Sequence, residues 1–269
     1  MARTNRRTNS TRKSRIDEGK PTPRPKFVAN QQGETEGTFC TQQALPQFTA
    51  ANERQRTALK HLNQETPFVF LRGASGTGKS MIAVYRAAKL LKEKRVDKIW
   101  LVRPAVLCGN TIGLLKGDLN QKMRPFFRQT LIHLEHFMGK AFVNYCLEKE
   151  VIEFFPFEYI RGMSLEGCIV IAEECQNLDH SEFETMLTRR GKSSQIIFTG
   201  DEKQKDLKGT SGLTSTIDMI SKVIEQQPDY LDDDDLDNLE EGIAVVTFLP
   251  EDNMRSGVTK ALSKIYHYS

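Results

Sequence analysis

The chain has 269 residues, 38% apolar and 27% charged, with 38 Lys and Arg against 35 Asp and Glu. That length suits one sizeable α/β domain with a tail rather than two large ones, and no apolar run approaches the ~20 residues of a membrane-spanning helix. Five scattered cysteines (Cys40, Cys108, Cys146, Cys168, Cys175) lack any C-x-x-C spacing, which argues against a disulfide framework or zinc site and for a reducing, cytoplasmic compartment.

Residues 1–27 carry nine Lys and Arg against Asp17 and Glu18, a net +7, so the remainder carries −4 of the total +3. Rich in Arg, Thr, Ser and Pro and nearly free of apolar residues, this opening cannot bury a core, and residues 1–46 are expected to form a disordered basic tail. Two readings of it stand side by side: a solubilising tail, or an arm on nucleic-acid phosphates. Residues 47–269 form the folded domain.

Residues 50–63 read as a helix with an apolar stripe at Ala58, Leu59 and Leu62, ended by Thr66-Pro67. Phe68–Leu71 is a short buried strand, and a helix follows from Lys79 to about Glu93. Lys98–Val102 is the next strand, closed by Arg103-Pro104. Residues 118–149 hold helical material, with Pro125 starting or kinking it, and Val151–Phe155 is extended. Cys168–Ala172 is a continuous apolar run, as a strand buried on both faces should be. Asp179 caps the next helix with Glu182 three residues on. Gln195–Thr199 and Ile243–Leu249 are further strands, and Val258–Tyr266 a final helix. Asp232–Asp235 reads as a solvated loop.

Between the first strand and its helix lies Gly73-Ala74-Ser75-Gly76-Thr77-Gly78-Lys79-Ser80, which follows G-x-x-x-x-G-K-[S/T] in the strand–loop–helix context that makes the pattern specific. Gly73, Gly76 and Gly78 let the backbone curl so that several amides face the phosphates of ATP. The helix adds its N-terminal amides, Lys79 a cation on the β- and γ-phosphates, and Ser80 a hydroxyl for Mg2+. Hydrolysis needs an acidic site at the end of a neighbouring buried strand, and Glu173-Glu174 supplies it: one carboxylate holds magnesium, directly or through water, while the next polarises the attacking water. A further strand ends in Thr199-Gly200-Asp201-Glu202-Lys203-Gln204, a polar tip suited to sensing the γ-phosphate.

These segments together resemble the PhoH family, phosphate-starvation-associated ATPases related to superfamily-one helicases. The resemblance covers roughly residues 50–268. Besides the glycine loop it rests on Arg103-Pro104-Ala105-Val106, Leu114-Leu115-Lys116-Gly117-Asp118-Leu119 and Tyr159-Ile160-Arg161-Gly162. Glu174-Cys175-Gln176-Asn177, Leu187-Thr188-Arg189, the Thr199–Gln204 tip, Ser211-Gly212-Leu213 and Asn253-Met254-Arg255 complete it. It implies an α/β, RecA-like P-loop NTPase with a mostly parallel sheet flanked by helices, the sensor strand lying between the glycine-loop strand and the acidic strand. It also implies roles: Gln55 reads the adenine, Glu174 positions the attacking water and Gln204 senses the γ-phosphate. Arg189 or Arg255 serves as an arginine finger. Two positions depart from the family pattern. Glu173 stands where the family has Asp, so it would meet magnesium through water, and Arg161-Gly162-Met163 replaces Arg-Gly-Arg.

The expected function is therefore ATP hydrolysis coupled to RNA, or to single-stranded DNA. With one glycine loop and no room for a second such domain, a finger in trans requires a homo-oligomer. The resemblance suggests a ring, with six subunits as the expected number. A nucleotide or small-molecule kinase and a non-hydrolysing, ATP-dependent nucleic-acid-binding switch are the alternatives. A GTPase is disfavoured because no Asn-Lys-x-Asp segment occurs, and no segment suggests a nuclease.

Overall fold

The computed structural model describes residues 44–104, 119–205 and 211–268. The basic tail thus lies, up to residue 43, outside the described residues, as do parts of the 103–106 and 114–119 blocks. Helix α1 (Glu53–Asn63) opens on Asn52, whose side chain accepts the Gln55 N–H at 2.9 Å, and it buries Ala58 and Leu62. Strand β1 (Phe68–Gly73) passes through the glycine loop into helix α2 (Lys79–Lys92), and strand β2 (Lys98–Arg103) follows. A short helix α3 (Leu119–Met123) and a 3₁₀ turn at Arg124–Phe127 lead into α4 (Arg128–Met138) and α5 (Lys140–Glu148). Pro125 sits at the start of that turn, where its missing N–H is not needed.

Strands β3 (Ile152–Pro156) and β4 (Cys168–Ala172) precede helix α6 (His180–Thr188), which begins with the expected Asp179–Glu182 capping box. Strand β5 (Gln195–Gly200), helices α7 (Gly212–Gln226) and α8 (Asp233–Gly242), strand β6 (Ile243–Phe248) and helix α9 (Val258–Tyr268) complete the described chain.

The six strands form one parallel sheet in the order β3-β2-β4-β5-β1-β6. Strand β5 lies between β1 and β4, as the resemblance implied. Every residue of β4 and β5 is buried, because helices cover both faces. Alternation along each strand divides the core. Val69, Leu71, Ile99, Leu101, Ile169, Ile171 and Ile197 face α1, α2, α4 and α5, while Phe70, Trp100, Val170, Ile196 and Phe198 face α6 and α7. On the second face the Phe70 and Phe198 rings stack with centroids 4.6 Å apart, and Phe183 of α6 lies 5.3 Å from Phe198. Parallel strands put all their carboxyl ends on one edge, so Gly73, Arg103, Glu173, Gly200 and the residues after Phe248 arrive together.

Two sequence expectations change. Asp232–Asp235 is not a loop but the start of α8. Asp232 accepts the Asp235 N–H at 2.8 Å in a reciprocal cap, and the acidic first turn suits the positive end of the helix dipole. Helix α7 had no counterpart in the sequence reading. It starts where Gly212 packs so closely under the Leu178–Asp179 backbone that a Cβ there would lie 2.4 Å from the Leu178 carbonyl oxygen.

Candidate functional site

The loop after β1 takes its shape from glycines that no other residue can replace cheaply. Gly73, Gly76 and Gly78 have φ of 106°, 73° and 89°. A Cβ on Gly73 would stand 2.0 Å from the Phe248 carbonyl oxygen, which also accepts the Ala74 N–H at 3.1 Å. No side chain caps α2 at Gly78, so its first amides remain for a ligand. Thr77 Oγ1 donates to the Ala74 carbonyl at 2.9 Å, and the Lys79 ammonium donates to the carbonyls of Gly73 and Ala74 at 2.6 and 2.7 Å. Burial lowers the Lys79 pKa to about 8, opposed by the carboxylates of Asp201, Glu174 and Glu202.

Two segments brace the loop from outside. Asn253 Nδ2 donates to the Ser75 carbonyl at 3.2 Å while its Oδ1 accepts the Arg255 N–H at 2.8 Å, and the Met254 N–H donates to the Gly76 carbonyl at 2.9 Å. From α1, Gln55 Nε2 donates to the Thr77 carbonyl at 3.0 Å, and its Oε1 accepts the Ala51 N–H at 2.8 Å. The residue expected to read adenine thus lines the cleft, and its amide also clasps the loop. Each of its polar atoms retains one further hydrogen-bonding position.

The acidic tip of β4 is built from four segments. Glu173 is 6% exposed, and its Oε1 accepts from Thr130 Oγ1 of α4 at 2.6 Å. Burial raises its pKa and Glu174 pushes the same way, while Arg103 and the Thr130 bond pull down. Glu174 sits at φ 56°, ψ 36°, a left-handed conformation uncommon outside glycine. Its Oε1 accepts from Arg103 Nη2 at 2.9 Å and its Oε2 from Gln176 Nε2 at 2.7 Å. Gln176 Oε1 also accepts the Asp201 N–H at 3.1 Å, so one amide joins the tips of β4 and β5. Arg103 Nη1 donates to the Phe126 carbonyl at 2.5 Å, its guanidinium lies 5.8 Å over the Phe127 ring, and its buried Nε has no partner among the described residues.

These pieces enclose a cleft of about 730 Å³, which admits Lys79, Ser80, Glu173, Glu174, Asp201, Gln204 and Arg255 together. Gln204 stands on the rim, its main-chain oxygen accepting from Gln176 Nε2 at 3.4 Å. Arg189 is not brought to this cleft. It ends α6, and its carbonyl accepts the Leu165 N–H at 3.1 Å, ahead of β4 at the opposite edge of the sheet. Beyond Met81 the cleft runs between Gln47 and Phe48 on one side and Gln129, His133 and His136 of α4 on the other. Phe48 and Phe137 both line it, and Tyr85 of α2 packs between their rings, with centroids 5.6 and 5.3 Å away. Burial, and His136 next to it, lower the pKa of His133 and favour its neutral ring.

The sequence reading assigned no role to Thr130, His133, His136, Gln176 or Asn253. Gln176 and Asn253 stood within blocks of the resemblance. For Thr130 and the histidines the only signal was a helical stripe of Phe126, Gln129/Thr130, His133 and His136/Phe137, which needs knowledge of what α4 faces.

The family model described as PhoH-like protein matches residues 47–267. Protein PhoH of Escherichia coli (strain K12) is 32% identical over 221 residues, covering 81% of this chain and 57% of that protein. A PhoH-like protein of Bacillus subtilis (strain 168) is 39% identical over 157 residues, 58% of this chain and 49% of the relative. The chain therefore spans about half the length of the curated relatives it matches. Among solved structures, Pif1 helicase from Candida albicans aligns with 75% of this chain and 40% of its own, at 13% identity and a TM-score of 0.33.

Proposed function

The chain belongs to the PhoH-like protein family, and on that premise we propose that it binds ATP with magnesium and hydrolyses it in concert with single-stranded nucleic acid, RNA first. The observation that carries this reading is the Gln176 amide, which holds Glu174 Oε2 and the Asp201 N–H at once. It sets the acidic tip of β4 beside the polar tip of β5, in the same cleft as the glycine loop.

A triphosphate fits along the loop amides and Lys79, its terminal phosphate directed at the two tips. Water attacks the γ-phosphorus, ADP leaves, and Glu174 takes the water's proton. Arg103 and Gln176 orient that carboxylate, each holding one of its oxygens. Lys79 meets charge accumulating on the phosphate oxygens, and Arg255 and Gln204, which line the same cleft, would complete or sense the terminal phosphate. Glu173 and Ser80 suit a divalent cation, since a buried carboxyl with a single hydroxyl donor is a charge that a cation would offset. Magnesium bound there would neutralise part of the triphosphate charge.

Arg189 lies at the far edge of its own sheet, so a finger from that position would serve a neighbouring subunit, consistent with a head-to-tail ring. Mixed Arg189→Ala and Lys79→Ala subunits should recover activity if sites are shared. The central test is ATP hydrolysis with and without single-stranded RNA. We expect Lys79→Ala to lose nucleotide binding. Glu174→Gln should keep binding and lose turnover about 100-fold or more. Wild-type turnover in Glu174→Gln would sink the reading, and phosphoryl transfer to a nucleotide acceptor would favour a kinase instead.

A further inference from the structure

Helix α4 has a second depression on its outer side, and three cations meet there. A groove of about 450 Å³ is lined by Gln121, Arg124, Arg128, Ile132, Glu135 and Lys140 among others. Arg124, at the start of the 3₁₀ turn, and Arg128, the first residue of α4, both line it and both are exposed. Lys140, at the start of α5, lines the same groove. None of the three cations forms an ion pair with a described residue, and Arg124 makes only a long hydrogen bond of 3.5 Å to Asn144 Oδ1. Glu135 is the one carboxylate in the lining. Ile132, 48% exposed, adds an apolar patch.

Three exposed cations against one carboxylate give the groove a net positive field that suits an anionic occupant. We propose that this groove binds the sugar–phosphate backbone of a single-stranded nucleic acid, and that α4 carries its occupancy to the ATP site. The inference rests on the function proposed above and gives it a location. Phosphate oxygens would pair with Arg124, Arg128 and Lys140, while Ile132 would accept the apolar face of a sugar or base.

The link to the nucleotide cleft is short and made of hydrogen bonds. The opposite side of the same helix holds Glu173 through Thr130 at 2.6 Å. The turn that precedes it holds Arg103 through the Phe126 carbonyl, and Arg103 in turn holds Glu174. Movement of α4 toward an occupied groove therefore shifts the cation-facing carboxyl and releases or re-aims the water-activating one. One helix thus touches both sites, so an equilibrium between two positions of it would be biased from either side.

The test uses the full chain, a fluorescent single-stranded RNA, and binding measured across a potassium chloride series. An R124A/R128A/K140A variant should bind more weakly, and its slope of log affinity against log salt should flatten by about 2, at roughly 0.7 for each phosphate no longer neutralised. Basal ATP hydrolysis and ATP affinity should stay at wild-type values, while stimulation by RNA disappears. The charge-keeping variant R124K/R128K/K140R should retain most of the slope. An unchanged slope in the alanine variant overturns the groove as a nucleic-acid site, as does a wild-type chain that prefers polyglutamate to RNA. A flattened slope with stimulation intact overturns the coupling through α4. Absence of any ATP turnover in the wild type counts against the proposed function, while the salt slope still decides the groove.

Discussion

Replacing Glu173 with Gln separates the role of its charge from the role of its shape. The carboxyl is 6% exposed and accepts from Thr130 at 2.6 Å, and burial raises its pKa. The amide keeps the oxygen that Thr130 needs and removes a charge held away from water. A buried charged group with too few partners costs on the order of 1–3 kcal/mol. Arg103, whose field favours the carboxylate, offsets part of that. A net gain of about 1–2 kcal/mol corresponds to a Tm rise of about 2–8 °C for a domain of this size. The sign with pH follows from linkage. An acid with a raised pKa leaves the folded state holding more protons than the unfolded one, so stability falls as pH rises from the unfolded pKa through the folded one. The advantage of the variant should therefore open with rising pH and close in acid. Thermal unfolding in EDTA should show the variant ahead. With saturating ATP and magnesium the order should invert, because the wild type gains the cation's share of ligand stabilisation. A variant less stable in EDTA, or one with an undiminished shift on adding ATP and magnesium, would refute the reasoning.

The lowered pKa of Lys79, about 8, makes nucleotide binding a proton-uptake reaction, since phosphates favour the ammonium. At pH 8 about half a proton should enter on binding, measured as a dependence of calorimetric heat on buffer ionisation enthalpy, and affinity should fall as pH rises further; heat independent of buffer would contradict this. An H133A/H136A variant should bind ATP about 2- to 10-fold more weakly for each hydrogen bond removed, with inorganic tripolyphosphate unaffected because it has no nucleoside to meet α4. Equal weakening of both ligands in a competition assay would show that the histidines do not line a nucleoside subsite.

Much of the fold was legible because a parallel sheet buried on both faces leaves apolar runs such as Cys168–Ala172 and Ile196–Phe198. Strand order was not, since β1 pairs with β5 across more than a hundred residues of sequence. The resemblance supplied only the place of β5 between β1 and β4. Helix α7 escaped because only Gly212, Leu213, Thr216 and Ile217 of its 15 residues are buried, a short stripe of which half is small or polar. The acidic run misled for a related reason: Asp is common in loops, and only reciprocal hydrogen bonds make Asp232 a cap. At the site, the glycine loop and Glu173-Glu174 are contiguous motifs and could be read directly. The supports that give them geometry are remote. Thr130 lies 43 residues from Glu173, and Arg103 lies 71 from Glu174.

Glu173 also shows how a departure from a family pattern can be a structural device. An Asp at this position, as in the pattern that the sequence resembles, would end roughly 1.5 Å nearer the backbone. The 2.6 Å bond to Thr130 would then stretch to about 4 Å, past hydrogen-bonding reach. The additional methylene is thus what lets the buried carboxyl cross from the β4 tip to α4. A Thr positioned to meet it supplies the other half of the tie. The tie has a cost, since it draws one carboxylate oxygen away from any cation and toward a helix. It also has a consequence: the acidic tip takes its position from α4 as well as from β4. One wall of the cleft, the Arg103 anchor at Phe126 and two of the groove's three cations belong to the same helix and its preceding turn. Whatever moves that helix reaches both glutamates at once, Glu173 through a hydroxyl and Glu174 through a guanidinium.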